Sequence, residues 1–150
     1  MNRLSQFSAL CAGLMMVSGC STVTDMVTSN LPEGHSGRPS IVVSLRAQEA
    51  YLQRAGHRTA SSRISSGREG YRTPVGRFQV IRKDEDHRSS VYGDYIDDLG
   101  HLIEFSPGYG LPQGYLPGEP ASHGCIRMPY WKARQFYNAV HLGTLVVIKP

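Results

Sequence analysis

Glycine and proline interrupt the chain between residues 41 and 148 so often that only short secondary-structure elements fit between them. β-branched runs bounded by such turn residues are typical of strands. The runs predicted to be strands are 41–45, 50–54, 57–64, 78–81 and 144–148. Segment 130–140 instead has one apolar helical face, and Pro129 precedes it at a position that suits a helix start. The sequence therefore predicts a mainly β domain with one short helix.

The first nineteen residues have the pattern of an export signal. Arg3 precedes an apolar run over residues 7–17 that has no acidic residue, and Ser18-Gly19-Cys20 follows it. Because a membrane span needs about 20 apolar residues, this run is predicted to be a signal that is removed. Gly19-Cys20 resembles the lipobox of bacterial lipoproteins, in which the cysteine becomes the acylated N-terminus. The alternative is an ordinary signal peptide with an incidental Cys20.

Residues 20–40 are rich in Ser, Thr, Gly and Pro and are predicted to be a tether. A flexible chain of this length spans about 25 Å. Acyl chains on Cys20 would anchor the protein to membrane lipid without spanning the bilayer. Ser21 follows Cys20 where retained lipoproteins have aspartate, and this resemblance favours the periplasmic side of the outer membrane.

The remaining domain, residues 41–150, is long enough for one hydrophobic core and too short for two. Removal of residues 1–19 takes away Arg3 and lowers the formal net charge from +4 to +3. A charge this small and scattered does not predict a nucleic-acid partner.

Cys125 is the candidate nucleophile of the domain. Cys11 leaves with the signal and Cys20 carries lipid, so Cys125 has no intramolecular disulfide partner. In an exported protein such a thiol is a candidate for reactivity, the alternative being an inert buried cysteine. A thiol with a pKa near 8.5 needs a neighbouring base or cation to form the thiolate, and His123 lies two residues away. Zinc is not predicted, since no further ligands occur at a suitable spacing, and no cofactor is expected.

The domain resembles the YkuD-type L,D-transpeptidase catalytic domain, which crosslinks and remodels bacterial peptidoglycan. The most specific match is Pro120-Ala121-Ser122-His123-Gly124-Cys125-Ile126-Arg127-Met128-Pro129. The other matching blocks are 66–67, 73–78, 83–90, 115–118 and 143–148. The resemblance implies a compact β-sandwich or barrel-like fold with Cys125 in a cleft.

The resemblance also implies acyl transfer through a thioester on Cys125, with peptidoglycan stem peptides as partners. Ser122, Gly124 and Arg127 are then substrate or oxyanion residues, because backbone N–H groups near a glycine can approach a developing oxyanion. Arg127 either orients an anionic part of the substrate or pairs with an internal acid. Tyrosines could line a peptide groove, although scattered tyrosines in a β domain are usually half-buried packing; they are Tyr92, Tyr95, Tyr109 and Tyr115.

The chain departs from the family at one important position. Similar proteins carry the histidine base thirteen residues before the cysteine, where this chain has Pro112. Proline has no titratable group and cannot take that role. His123 is the best replacement, since extended residues two apart face the same side, and His101 is a possible alternative base. His57 and His87 are predicted to be surface or hydrogen-bonding residues.

Two functions follow from these observations. The first is a peptidoglycan L,D-transpeptidase with Cys125 as nucleophile and His123 assisting. The second is a catalytically impaired, membrane-tethered protein that binds peptidoglycan as a scaffold. The intact signature favours the enzyme, and Pro112 favours the scaffold.

Overall fold

The structure is a computed structural model, and it describes residues 37–88 and 100–150. The predicted signal, most of the tether, Cys20, Tyr92 and Tyr95 lie outside these residues. Within them, no helix is both long enough and apolar enough to cross a membrane.

Eight strands and one helix make up the described domain. In chain order they are β1 (Pro39–Ser44), β2 (Glu49–Arg54), β3 (His57–Arg63), β4 (Gly76–Gln79), β5 (Arg82–Asp84), β6 (Leu102–Ser106), β7 (Tyr109–Leu111), α1 (Tyr130–Ala139) and β8 (Leu145–Lys149). The predicted strands correspond to β1, β2, β3, β4 and β8, and the predicted helix to α1. The mainly β fold class is therefore confirmed.

Three strands were not predicted from the sequence: β5, β6 and β7. β5 consists of Arg82-Lys83-Asp84 and has no β-branched residue. β6 and β7 are short and separated by Pro107 and Gly108, so the local pattern indicates a loop. β1 also begins at Pro39, so the last two residues of the predicted tether pair with a neighbouring strand.

The strands form two sheets in a β-sandwich-like arrangement. The larger sheet has the order β3-β2-β1-β8-β4, and the smaller one β5-β6-β7. β1 pairs in parallel with β8, whereas the other neighbours are antiparallel. Phe78 of β4 and Phe105 of β6 pack with ring centroids 5.2 Å apart, which joins the two sheets.

One hydrophobic core fills the space between the sheets and the helix. Burial alternates along β8, where Val146 and Ile148 are buried and Leu145 and Val147 are partly exposed. Ala133 and Phe136 are the buried residues of α1. Ile126 and Met128 are fully buried in the same core. The chain on either side of Cys125 is therefore fixed by packing.

Candidate active site

Residues 122–127, which we call the signature segment, lie between two other parts of the chain. On one side, Ser65 and Arg127 exchange backbone hydrogen bonds of 2.9 Å each. On the other, the Ile126 N–H donates to the Gly110 carbonyl at 2.8 Å. Both neighbours are far from the segment in sequence, so tertiary structure positions the predicted nucleophile.

Thr73 holds the centre of the signature segment. Its buried hydroxyl donates to the Gly124 carbonyl at 2.9 Å and accepts the Gly67 N–H at 2.9 Å. One side chain thus joins the loop that precedes Pro74 to the residue before Cys125. Ser122 acts similarly from within the segment, because its hydroxyl donates to the Cys125 carbonyl and accepts the Gly124 N–H at 3.0 Å.

Glycine is required at position 124 for two reasons. Its φ is +116°, a conformation that residues with a Cβ rarely adopt. A Cβ at this position would also lie 2.7 Å from Cε1 of Tyr109. Tyr109 is half-buried against the segment, as expected for packing, whereas Tyr115 is 80% exposed.

The Cys125 thiol is partly buried beside the turn between β6 and β7. Its Sγ lies 3.8 Å from the Gly108 carbonyl oxygen, which can accept a hydrogen bond from the thiol. Burial raises the pKa of Cys125 and Glu104 adds to this effect, against the opposing influence of a Gly110 backbone hydrogen bond and Arg127. This environment favours the neutral thiol.

Glu104 supports the turn that contacts the thiol. Its carboxylate accepts from Arg82 Nε at 2.6 Å and from the Gly108 N–H at 3.1 Å. Burial alone would raise the pKa of Glu104, but these hydrogen bonds and the Arg82 charge outweigh it and lower the pKa. Glu104 is therefore a negative charge held in place near Cys125.

His123 lies in contact with Arg68 and Tyr71. Its Nε2 is 2.6 Å from an Arg68 nitrogen, and its ring is 4.5 Å from the Tyr71 ring in an edge-on arrangement. Because a guanidinium only donates, Nε2 accepts and the proton of the neutral ring is on Nδ1. Partial desolvation and the positive charges of Arg68 and Arg127 lower the pKa of His123, so the ring is neutral near pH 7.

His101 lies at the other end of β6 from the turn beside the thiol. Its ring is buried edge-on against Tyr130 and Tyr137 of α1, and Nε2 is 4.0 Å from Glu85. The five residues of β6 separate it from the turn by about 16 Å. The structure therefore places His101 with the helix and not with the signature segment.

The remaining positions named from the sequence have structural partners or lie at the surface. Pro112 is fully buried, and its carbonyl accepts the Met128 N–H at 3.1 Å. His57 is exposed on β3, and His87 Nδ1 is 3.3 Å from Asp84. Among the described residues, no group of three or more His, Cys, Asp or Glu side chains is arranged to hold a metal ion.

Backbone N–H groups near Cys125 differ in availability. The Gly124 N–H donates to the Ser122 hydroxyl, so it is not available to an oxyanion. Within residues 37–88 and 100–150, no acceptor is found for the Cys125 N–H. Of these two N–H groups, the one on Cys125 is therefore available to an oxyanion.

Sequence reasoning missed the residues that support the site but lie outside the signature segment in sequence. These are Arg68, Tyr71, Glu104, Gly108 and Gly110. The only sequence signal for the first two was their position in a turn-rich segment, and Glu104 belonged to a strand that was not predicted.

The YkuD model, which describes the L,D-transpeptidase catalytic domain, matches residues 38–148. This chain belongs to that family. The L,D-transpeptidase domain thus accounts for the described sheets, the helix and the signature segment. Members of the family are cysteine-dependent acyltransferases of the peptidoglycan cell wall.

Individual relatives agree with this assignment. A probable L,D-transpeptidase 3 of Mycobacterium tuberculosis is 32% identical over 103 residues, which cover 57% of this chain and 37% of that protein. This chain therefore spans well under half the length of that curated relative.

Solved structures show the same fold. An L,D-transpeptidase of Stackebrandtia nassauensis matches with a TM-score of 0.69 and 23% identity, covering 84% of this chain and 62% of the other. L,D-transpeptidase 3 of Mycobacterium tuberculosis, in complex with a faropenem-derived adduct, matches with a TM-score of 0.65 and 24% identity, covering 75% and 61%.

Proposed function

We propose that this protein is a peptidoglycan L,D-transpeptidase that uses Cys125 as its nucleophile. The thiolate attacks a carbonyl carbon of a donor stem peptide, and the C–N bond to the terminal D-Ala breaks as its nitrogen takes up a proton. The resulting thioester is then attacked by an amine of a neighbouring stem, or by water, which restores the thiol.

The observation that carries this proposal is the way the signature segment is held. Thr73, Ser65 and Gly110 fix its backbone from both sides, and the Cys125 thiol is left only partly buried. The Cys125 N–H, which has no acceptor among the described residues, is positioned to donate to an oxyanion formed on the carbonyl that its own thiol attacks. A thiol kept only for packing would not need this arrangement.

His123 is the proposed proton acceptor in place of the family's histidine. Its ring is neutral near pH 7, which a general base requires. Its Nε2 accepts a hydrogen bond from Arg68, so Arg68 has to release it before the ring can accept a proton. Arg127 contributes positive charge that lowers the pKa of the thiol.

A second function, a wall-binding scaffold with impaired catalysis, is favoured by a different observation. The thiol forms backbone hydrogen bonds with Gly108 and Gly110. Burial nevertheless raises the pKa of the thiol overall, which opposes formation of the thiolate. Pro112 supplies no base. A domain of this kind would keep the peptide-binding surface and lose efficient turnover.

We further propose that acylated Cys20 anchors the protein to membrane lipid on the periplasmic side, in the outer membrane of a two-membrane bacterium. The support is the Gly19-Cys20-Ser21 sequence at the end of an apolar run. Labelling with a radioactive fatty acid should mark the wild-type chain and not Cys20→Ser. Equal labelling of both would contradict the anchor.

Intact-mass measurement after incubation with faropenem tests the enzymatic proposal. Faropenem is chosen because a solved relative carries an adduct derived from it. We expect a covalent adduct on the full chain and none on Cys125→Ala, and a lower rate for His123→Gln than for His101→Gln. No adduct on a chain shown to be folded by circular dichroism would favour the scaffold.

A further inference from the structure

Arg68 lies beside the signature segment and Arg127 belongs to it, and neither has an acidic partner among the described residues. Neither lies within 4.0 Å of a carboxylate in residues 37–88 and 100–150, although Arg82 of the same domain pairs with both Asp84 and Glu104. Even Glu69, the residue next to Arg68, is exposed and does not form a salt bridge with it. Two guanidiniums near the nucleophile are therefore not neutralised by a described carboxylate.

Arg68 is held in place rather than extended into solvent. Its N–H donates to the Ser122 carbonyl at 3.0 Å, and its guanidinium lies 4.5 Å from the centre of the Tyr71 ring. The Tyr71 N–H in turn donates to the Arg68 carbonyl at 3.0 Å, closing a tight turn. Gly67 precedes this turn, and a Cβ there would lie 1.9 Å from the Tyr71 carbonyl oxygen, so only glycine fits. The entropy cost of ordering the guanidinium has been met before any ligand arrives.

The backbone of Arg127 is held by the same segment, residues 65–68, that carries Arg68. Its backbone pairs with Ser65, three residues before Arg68, and Gly67 pairs with Ser122. The charges of Arg68 and Arg127 both act on His123. Arg68, Tyr71 and His123 therefore form one cluster at the surface, and Arg127 is near enough for its charge to act on both His123 and Cys125.

We propose that Arg68 and Arg127 form a carboxylate-binding subsite that takes a free carboxylate of the donor stem peptide, and that Arg68 couples its occupation to His123. This inference rests on the proposed function. Without ligand, Arg68 donates to His123 Nε2. When a carboxylate is bound, Arg68 donates to it instead, because a charged acceptor forms the stronger hydrogen bond. Nε2 of His123, released by Arg68, then accepts the thiol proton.

Arg68 is thus a positioning residue and His123 the group through which it acts. The coupling makes the base available only when a carboxylate-bearing peptide is present. By linkage, protonation of His123 and carboxylate binding favour each other, since the bound anion offsets the positive charge around the ring. This predicts that the pKa of His123 rises when the subsite is filled.

The test is a titration of the full-length Cys125→Ala chain with N-acetyl-D-alanine, followed by NMR of the His123 imidazole. N-acetyl-D-alaninamide, which lacks the negative charge, is the ligand control. We expect a saturable change at His123 and a higher His123 pKa with the acid, and neither with the amide. No change with the acid, or the same change with the amide, overturns the subsite.

Variants of two neighbouring arginines provide the matched comparison. Arg68→Gln should weaken binding of N-acetyl-D-alanine about tenfold or more, and Arg68→Lys should have a smaller effect because it keeps the charge. Arg72→Gln should change it less than about twofold, because Arg72 is exposed and lies outside the cluster. Equal effects of the Arg68→Gln and Arg72→Gln variants would show nonspecific attraction and overturn the assignment.

The two proposals fail separately. The titration needs no thiol, so it does not depend on catalysis. A faropenem adduct without carboxylate binding would overturn the subsite alone. Carboxylate binding without an adduct would support the subsite and leave the protein as a wall-peptide scaffold.

Discussion

Replacing Thr73 by valine should loosen the signature segment without changing any reacting group. Valine has nearly the same shape as threonine but cannot donate to the Gly124 carbonyl or accept from the Gly67 N–H, both at 2.9 Å. Thr73 is 4% exposed, so both backbone groups would lose their partner in a site with little access to water. Each buried polar group left without a partner costs about 1–3 kcal/mol. With some relaxation, the free energy of unfolding should fall by about 2–4 kcal/mol.

Urea denaturation of the full chain, followed by circular dichroism, measures this loss. Thr59→Val is the matched control, because Thr59 is exposed and its hydroxyl is 3.5 Å from the Leu52 carbonyl, at the limit of a hydrogen bond. That control should change stability by less than about 0.5 kcal/mol. Faropenem acylation, measured where both variants are folded, should slow for Thr73→Val only. Equal stability and equal acylation rates in the two variants would refute the argument that this hydroxyl holds the nucleophile's loop.

Three further perturbations test the geometry of the site. Gly124→Ala should slow acylation about tenfold or more, since it requires a φ of +116° with a Cβ 2.7 Å from Tyr109; a wild-type rate would contradict this requirement. Because burial raises the pKa of Cys125, iodoacetamide should alkylate it more slowly than N-acetylcysteine at pH 7, and the rate should reach its plateau at a higher pH. A rate plateau reached at the same pH as for N-acetylcysteine, or at a lower one, would contradict the environment described. Pro112→His should restore the family's base and increase the faropenem acylation rate about 100-fold, and an unchanged rate would show that position 112 does not serve the thiol here.

The strands show when the local sequence pattern is sufficient to predict secondary structure. β1 and β8 contain consecutive β-branched residues, and their turn residues bound them clearly, so both strands were predicted within two residues. β5 contains only charged residues and forms because β6 lies beside it. Pairing of this kind depends on a neighbour elsewhere in the chain, and no local propensity reports it.

The relation between His123 and Cys125 shows the same limit at the site. The expectation that they face one side assumed an extended backbone between them. The φ of Gly124, +116°, interrupts that alternation, and the two side chains have different surroundings. His123 contacts Arg68 and Tyr71, while Cys125 lies beside Gly108.

The sequence by itself determined the family, the mainly β class and the identity of the proposed nucleophile, because each depends on residues close together in the chain. Tertiary structure alone decided what surrounds that nucleophile. Arg68 is 55 residues from His123, Thr73 is 51 from Gly124, and Gly108 is 17 from Cys125. Contacts over such separations arise when two sheets and their connecting loops pack around one core, so the protonation states of the thiol and the imidazole are properties of the folded domain and not of the signature hexapeptide.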